Sequence, residues 1–445
     1  MRFRAKFWWG LLLAVNVLCG IIDSQASSVC ATGVYRSPDG NFAAITPVAE
    51  TAPAGTWYTM LDGRSGYASE KSSPVACIDG SLRGKPAGGQ WETWTKLEFR
   101  FTTLSFPSGD AVLYGLLMEP ELPPGGSKPP LMILAHGSGK QSPIEGYYQY
   151  LLGARGIATF FYDKRGTGKS TGEYTQDFYV LADDAANAVK VVRQAAAGRY
   201  SRIGFLGTSQ GGWVAPLAAA KAKVDFVEVA YGVVGTPVEQ DEWQVEYQMR
   251  EAGYLGFSDE IDTAVQKITQ LTGAIATSNF SKNVEELDSV RKKYSGQSWF
   301  SAIDGQYSGE LLRGEIAKAK AESPGVPWNY PALSVLRQLR IPQLWVFASD
   351  DSVAPAPKSV ERLEHLRATL ANSEHFPIEI VVFPHSDHDI HTFTQDEHGR
   401  RTPVGLADGF LRLLGDWANG TVHETYGDAF WVGPHQAPAE LSPSK

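Results

Sequence analysis

The sequence has no long run of basic residues, no long uninterrupted apolar segment and few cysteines. Of its 445 residues, 40 are Lys or Arg and 49 are Asp or Glu, so the formal net charge is −9. Without a basic cluster, nothing in the chain suggests nucleic-acid binding. Hydrophobic residues make up 43% and charged residues 20% of the chain. This composition is typical of a globular protein and argues against a disordered or fibrous one.

The apolar segment at the N-terminus is too short to favour a membrane span. Three basic residues precede residues 7–22, and Asn16 interrupts the stretch, whereas a spanning helix needs about 20 apolar residues. Small residues at positions 24 and 26 fit a signal-peptidase site. We therefore expect residues 1–26 to be a signal peptide, the mature chain to be periplasmic or secreted, and no membrane span to remain. A retained membrane anchor is the alternative.

Cysteine is scarce, with only 3 residues in the chain. Cys19 would leave with the signal peptide, so the mature protein keeps Cys30 and Cys77. An even pair in an oxidising compartment predicts a disulfide between them. Two buried free thiols are the alternative, because the sequence does not place the two Cα atoms within bonding distance.

Turn signals and apolar patterns divide the rest of the chain. Turn sequences such as Pro38-Asp39-Gly40 separate short β segments, which predicts a small β-rich module. A charged and aromatic stretch with helical patterns later interrupts the β pattern, and its length favours an inserted helical lid over a loop. The predicted domains are the β module at residues 27–90, a core at 91–235 and 330–420, the lid at 236–329, and a C-terminal tail at 421–445.

Short apolar runs alternate with helical stretches across the predicted core. This pattern indicates an α/β protein with a mostly parallel sheet buried on both faces. The predicted strands lie at residues 131–135, 158–162, 203–206, 226–229, 344–347 and 378–383. Further helices are predicted at residues 181–192, 259–271, 309–321 and 404–419.

The strongest motif is Gly207-Thr208-Ser209-Gln210-Gly211, which follows a predicted strand and precedes a predicted helix. A strand-to-helix turn this tight holds its central residue in a strained conformation and leaves room only for glycine on either side. Ser209 is therefore the candidate nucleophile. The alternative is a chance Gly-x-Ser-x-Gly sequence in a loop.

A serine hydroxyl needs a base to remove its proton and a third group to orient that base. In proteins built around this serine turn, the acid and then the histidine follow the serine along the chain. Asp351 and Asp350 both follow the strand at 344–347, and the distance to Pro355 favours Asp351. Two surface carboxylates in a turn are the alternative interpretation.

Three histidines follow the strand at 378–383, and His388 stands at the loop position that favours a general base, ahead of His385 and His391. Together with Asp387 and Asp389 they could instead bind zinc. The cluster lacks the His-x-His-x-Asp-His order of binuclear zinc hydrolases, so no metal is predicted.

Acyl transfer places negative charge on a carbonyl oxygen, and preorganised donors must meet this charge. The turn after the nucleophile offers the Gln210 backbone N–H, and the small residues after the strand at 131–135 offer the N–H of Ser138 or, alternatively, Gly137. His136 precedes them and is predicted to orient the loop rather than act as a base.

A third glycine-rich stretch imitates a phosphate-binding loop. Residues 163–170 end in Gly-Lys-Ser, but Asp163 stands where such a loop needs its first glycine. We therefore predict a turn after the strand at 158–162 and no nucleotide cofactor.

With these motifs in place, the chain resembles bacterial α/β-hydrolases related to the prolyl oligopeptidase and serine aminopeptidase groups, many of which are named as esterases. Residues 134–139, 162–172, 207–218 and 331–355 carry the resemblance. It implies the α/β-hydrolase fold, catalytic roles for Ser209, Asp351 and His388, and a lid over the pocket. It does not extend to residues 27–90.

The resulting hypothesis is an exported serine hydrolase that cleaves small carboxylic esters through an acyl-enzyme on Ser209, without a cofactor. A peptidase or amidase is one alternative, because the same machinery cleaves amides. A binding module of the envelope that uses an inactive hydrolase fold is the other.

Seven aromatic residues of the predicted lid have two possible roles. They either line an apolar acyl or aryl pocket or form the core of the lid itself. These residues are Trp243, Tyr247, Tyr254, Trp299, Phe300, Trp328 and Tyr330.

Overall fold

The structure is a computed structural model that describes residues 29–46, 56–69, 71–85, 89–121, 125–256, 258–370, 377–397, 399–423 and 425–433. The predicted signal peptide and residues 434–445 of the predicted tail lie outside these ranges. Within them, no helix combines the length and apolar character needed to cross a membrane.

The N-terminal module consists of short antiparallel strands, as predicted. The strands are β1 (Gly33–Arg36), β2 (Phe42–Thr46), β3 (Trp57–Met60), β4 (Ser65–Tyr67), β5 (Val75–Ile78), β6 (Ser81–Gly84), β7 (Glu92–Thr93) and β8 (Thr95–Lys96). One sheet has the order β4-β3-β2-β1-β8 and the other the order β5-β6-β7. The strands β7 and β8 lie beyond residue 90, so the sheets of the module continue past the predicted boundary.

A disulfide joins the two sheets of the module. Cys30 precedes β1 and Cys77 lies in β5, with their Cα atoms 5.5 Å apart. The module also packs on the rest of the chain, because Val34, Ala44 and Leu61 share a buried cluster with the first helix of the core.

The central sheet begins with a hairpin and continues as parallel strands. Its first strands are β9 (Phe99–Ser108), β10 (Ala111–Pro120), β11 (Leu131–Ala135), β12 (Ala158–Tyr162), β13 (Ile203–Thr208), β14 (Phe226–Ala230), β15 (Gln343–Ala348) and β16 (Ile378–Phe383). They lie in the order β9-β10-β12-β11-β13-β14-β15-β16. The six strands from β12 to β16 in this order are parallel. This sheet, with helices on both faces, is the predicted α/β-hydrolase fold.

The helices cover the sheet and form the lid. They are α1 (Tyr147–Ala154), α2 (Phe178–Ala195), α3 (Gly211–Ala222), α4 (Pro237–Glu251), α5 (Asp259–Thr277), α6 (Val284–Tyr294), α7 (Ser308–Arg313), α8 (Ile316–Glu322), α9 (Ala332–Leu336), α10 (Ala356–Leu370) and α11 (Phe410–Asn419). Helices α2, α3, α9 and α10 share one apolar cluster with the sheet. Helices α1 and α11 share the cluster on the opposite face.

The lid runs from α4 to α8 between β14 and β15, and it has an apolar core of its own. Its first helix has a well-defined start: the Thr236 side chain accepts from the Glu239 N–H, Glu239 reaches back to the Thr236 N–H, and Pro237 occupies the first turn. Glu239 also forms an ion pair with Arg362 of α10. The start of the lid is thereby fixed to the core.

A small antiparallel sheet lies between β16 and α11. Its strands are β17 (Ser386–Asp387), β18 (His391–Gln395) and β19 (Arg401–Leu406). We call residues 391–406 the C-terminal hairpin. After α11, β20 (Phe430–Trp431) pairs antiparallel with β16 and extends the central sheet.

Two helix predictions were wrong in part. The helix predicted at 404–419 begins only at Phe410, because residues 401–406 pair with β18 and Gly409 then turns the chain with φ of 91°. The helix predicted at 309–321 is split at Gly314, which has φ of 85°. A left-handed glycine ends a helix, so α7 and α8 are separate.

Candidate active site

The Ser209 turn joins β13 to α3 at the C-terminal edge of the sheet. Ser209 has φ of 51°, a conformation that is strained for a residue with a side chain. A Cβ on Gly207 would lie 2.3 Å from the Gly211 oxygen, and one on Gly211 would lie 1.8 Å from the Ala135 oxygen. The flanking glycines are therefore required by the close approach of the backbones.

Ser209, His388 and Asp351 form a continuous hydrogen-bonded array. The distance from His388 Nε2 to Ser209 Oγ is 3.1 Å. On the other side of the ring, His388 Nδ1 lies 2.9 Å from Asp351 Oδ2 and 3.1 Å from Oδ1. The structure thus brings together the three residues predicted from loops that are far apart in the sequence.

Asp351, rather than Asp350, contacts the imidazole. The Asp351 side chain is 1% exposed, and its Oδ1 also accepts the backbone N–H groups of Val353 and Ala354 at 2.9 and 2.7 Å. Asp350 instead accepts from the neighbouring Ser349 hydroxyl. These bonds fix the orientation of the Asp351 carboxylate toward His388.

The other two histidines of this loop take different positions. His385 is exposed in a turn, where its N–H donates to Ser349 Oγ, and His391 begins β18. The Asp387 carboxylate forms an ion pair with Arg401. In the described part of the chain, no group of three His, Cys, Asp or Glu side chains could hold a metal ion.

The surroundings of His388 favour its protonated form. Burial lowers the pKa of His388, but the charge and hydrogen bonds of Asp351 outweigh burial, with help from Asp389 and Asp387, so the net pKa is raised above 6.5. A raised pKa makes the neutral ring a stronger base. It also means that the ring stays protonated, and therefore cannot accept a proton, up to a higher pH.

The two predicted oxyanion loops are joined by a buried lysine. Ser138 and Gln210 both line the cavity beside Ser209. Lys164, which is 4% exposed, donates to the Gly137 carbonyl oxygen at 2.5 Å and to Gln210 Oε1 at 2.8 Å. The ammonium group therefore fixes one loop relative to the other.

Two further side chains hold the same loops from the segment before α2. The Tyr174 hydroxyl donates to the Ser138 oxygen at 2.6 Å. Gln210 Nε2 donates to Gln176 Oε1 at 2.9 Å, and Gln176 Nε2 donates in turn to the Glu322 oxygen of α8. The predicted oxyanion loop that contains Gln210 is thus connected to the lid.

Burial shifts the pKa of both titratable groups behind this region. It lowers the pKa of Lys164 to about 7, and together with the nearby Lys164 charge it lowers the pKa of His136 to about 3. His136 is therefore neutral near pH 7, and the imidazole that contacts Ser209 Oγ is that of His388.

A cavity lies between the lid and Ser209. Apolar side chains from the core and the lid form much of its wall, among them Phe178, Trp213, Val233, Val326 and Trp328. Polar side chains of Gln240, Gln306 and Glu310 line it as well. The cavity can therefore hold a partly apolar substrate with the reacting bond at the serine.

Most of the predicted lid aromatics do not line this cavity. Of the seven, only Trp328 is among its lining residues. Trp299, Phe300 and Tyr254 belong to the apolar core of the lid, and Trp243 and Tyr330 belong to the main core. Tyr307, which the sequence analysis did not single out, also lines the cavity and stacks edge to face with Trp328.

Sequence reasoning missed Lys164, Tyr174 and Gln176. Lys164 lies in the glycine-rich stretch that imitates a phosphate loop, and that stretch also carries part of the family resemblance. Its position directly after β12 was a usable signal, because β12 is the neighbour of β11 and the turns after both strands end at the same sheet edge.

The chain is similar to known proteins over part of its length. Residues 127–287 match the family described as serine aminopeptidase, S33. The esterase EstD of Thermotoga maritima is 26% identical over 209 residues, which are 44% of this chain and 49% of that protein. The chain thus aligns with only about half the length of this curated relative.

The chain also resembles several solved structures at low sequence identity. The Pyrococcus furiosus esterase Pf2001 has a TM-score of 0.40 and 17% identity, covering 65% of this chain and 85% of its own. The Pyrococcus horikoshii acylaminoacyl peptidase has a TM-score of 0.39 and 15% identity, covering 78% of this chain and 48% of its own.

The Ser209 hydroxyl should react with a fluorophosphonate probe at a rate that depends on neutral His388. Because the pKa of His388 is raised, the rate should increase with pH through a midpoint above 6.5. Labelling rates measured between about pH 5 and pH 9 would test this, with Ser209→Ala as the unreactive control. A rate that does not change over this range would contradict the assignment of His388 as the base.

Proposed function

We propose that this chain, which has the α/β-hydrolase fold, hydrolyses small carboxylic esters through an acyl-enzyme on Ser209. The observation that carries the proposal is the hydrogen-bonded array from Asp351 through His388 to Ser209, which opens into the cavity under the lid. The esterase name of the Thermotoga relative supports an ester as the substrate.

In the acylation step, Ser209 Oγ attacks the ester carbonyl carbon while His388 Nε2 removes the hydroxyl proton. Asp351 accepts the Nδ1 proton in a hydrogen bond, which keeps Nε2 free to act as base and stabilises the imidazolium that forms. The imidazolium then gives its Nε2 proton to the leaving alcohol. A water molecule repeats the sequence on the acyl-enzyme and regenerates the Ser209 hydroxyl.

The negative charge of the tetrahedral intermediate falls between the two loops that Lys164 joins. The backbone N–H groups of Ser138 and Gln210 are the proposed donors to this oxygen. The Lys164 ammonium contacts both loops, so its positive charge stabilises the same intermediate from behind. Such preorganised charge acts mainly on the transition state.

Ester turnover should disappear with the nucleophile. The purified protein is expected to hydrolyse p-nitrophenyl esters, and Ser209→Ala should lower kcat by at least about 10³-fold. A series from short to long acyl chains, run beside a peptide anilide, separates an esterase from a peptidase. Turnover of the anilide alone would support the peptidase alternative. Inactivity on all substrates, without probe labelling, would favour the binding module.

Removing the buried ammonium of Lys164 should reduce stabilisation of the transition state more than it reduces substrate binding. Lys164→Met is expected to lower kcat by about 10- to 100-fold, with KM changed by less than about threefold. The inhibition constant of a trifluoromethyl ketone should rise by the same factor as kcat/KM falls. Lys169→Met is the matched control, because Lys169 lies on the same turn but on the surface beside Tyr114. Equal effects of the two substitutions would contradict the role of Lys164.

We further propose that the protein is exported and that Cys30 and Cys77 pair in an oxidising compartment. Expression in a bacterial host should yield a periplasmic or secreted form that begins near Ser27 and has no free thiol before reduction. Closing a loop of this length contributes about 4 kcal/mol in the chain-entropy account, so a reductant should lower the thermal unfolding temperature. N-terminal sequencing and thiol titration measure the first two outcomes. An intact N-terminus would favour the membrane anchor.

A further inference from the structure

We propose that Asp387 and Arg401 form a brace that positions the Asp351 and His388 loops and connects them to the lid. Both act as positioning residues, since neither contacts Ser209. The inference rests on the proposed function, in which Asp351 and His388 serve the reaction. Its structural basis is a set of contacts that joins the acid loop, the base loop, α4 and the C-terminal hairpin.

The Asp387 carboxylate connects the acid loop to the base loop. Its Oδ1 accepts from the Ser352 N–H at 2.8 Å and from the Ser352 hydroxyl at 2.9 Å. The same oxygen accepts from the backbone N–H of His388 at 2.8 Å. Ser352 directly follows Asp351, so one carboxylate fixes the backbones on both sides of the His388–Asp351 hydrogen bond.

Arg401 completes the brace from β19. Its Nη1 donates to Asp387 Oδ2 at 2.7 Å and to the backbone oxygen of Asp350 at 2.6 Å. The guanidinium is planar and offers several donors in a fixed geometry, which suits it to span two loops at once. It lies over the Phe393 ring at 4.3 Å, and its side chain is only 16% exposed.

The other end of the guanidinium reaches the lid. Arg401 Nη2 donates to the Tyr247 hydroxyl of α4 at 2.7 Å and lies 3.4 Å from Glu251 Oε2. The Tyr247 hydroxyl donates in turn to the Asp350 backbone oxygen at 3.3 Å. A change in the position of α4 therefore acts on the same backbone oxygen that Arg401 holds.

The N-terminal module supports the hairpin that carries Arg401. The Leu406 N–H donates to the Gly63 oxygen at 3.0 Å, and Arg64 forms a β-bridge with Gly405. The backbones approach so closely that a Cβ on Gly63 would lie 1.9 Å from the Leu406 oxygen. This gives the module a role in the site: it holds the strand from which Arg401 extends.

The charges of the brace predict opposite electrostatic effects for its two members. His388 faces the carboxylates of Asp351, Asp387 and Asp389, together with the Tyr231 ring. Loss of Arg401 leaves the Asp387 charge uncompensated, which favours the imidazolium and raises the pKa of His388. Loss of the Asp387 charge lowers that pKa. General structural damage would not produce shifts of opposite sign.

The test compares Arg401→Met and Asp387→Asn with the wild type. Both substitutions should lower kcat for a p-nitrophenyl ester by about 10- to 100-fold, with KM changed by less than about threefold, because misplacement of the base by a fraction of an ångström affects mainly the chemical step. The acid limb of the kcat/KM profile should move to higher pH in Arg401→Met and to lower pH in Asp387→Asn, by about one unit or less. Shifts in the same direction, or none, would overturn the proposal.

Two further variants separate the brace from loss of folding. Arg400→Met is the matched control on the same hairpin, because Arg400 is 79% exposed and pairs with its turn residue Asp396. It should retain wild-type kcat and pH profile. Arg401→Lys keeps the charge beside Asp387 but has no planar group to span both loops, so it should restore the pH profile while kcat stays lowered.

The outcome can be read without turnover as well. In proton NMR spectra, the His388 Nδ1 proton bonded to Asp351 should give a far-downfield signal in the wild type and Arg400→Met, and this signal should be broadened in Arg401→Met, where the less firmly held loops let the proton exchange faster with solvent. If the wild type shows this signal but neither cleaves esters nor reacts with a fluorophosphonate, the proposed function fails and the brace stands. An unchanged signal in a folded Arg401→Met protein would overturn the brace.

Discussion

The geometry of the site depends on how closely the N-terminal end of α3 approaches the neighbouring strands. Ser209 is held at φ of 51°, and the turn closes only because Gly207 and Gly211 leave the space that a Cβ would fill. This strain is maintained by the buried strands on either side, which fix both ends of the turn. Because Ser209 Oγ extends from the C-terminal edge of β13, its hydrogen-bonding partners must come from loops at the same edge. The loops after β15 and β16 supply Asp351 and His388.

Two cations of different character lie near this serine. Lys164 lies behind the oxyanion loops, and burial lowers its pKa to about 7, so its charge varies near neutral pH. Arg401 stays charged throughout the physiological pH range, and it compensates Asp387 beside His388. The two cations therefore differ in role: Arg401 holds the loops of Asp351 and His388 with a permanent charge, whereas Lys164 joins the two predicted oxyanion loops with a titratable one.

The difference between what could and could not be predicted from the sequence follows from the range of the contacts. Ser209 was predictable because strand, turn and glycines are adjacent, and Asp351 and His388 because each follows a buried strand directly. Lys164 contacts Gln210 across 46 positions, and Arg401 contacts Tyr247 across 154. No local pattern encodes such pairs. The helix expected from residue 404 failed for the same reason, since strand pairing with β18 is also a tertiary contact.

The N-terminal module and His388 are connected through a continuous series of contacts. The disulfide joins the two sheets of the module, the β3–β4 turn binds the C-terminal hairpin through Gly63, and the hairpin carries Arg401. The Asp387 carboxylate is only partly exposed, and Arg401 compensates its charge beside His388. The position of Arg401 depends on β19, which pairs with β18 on one side and contacts the module through Gly63 and Arg64 on the other. The module therefore contributes to the placement of this arginine.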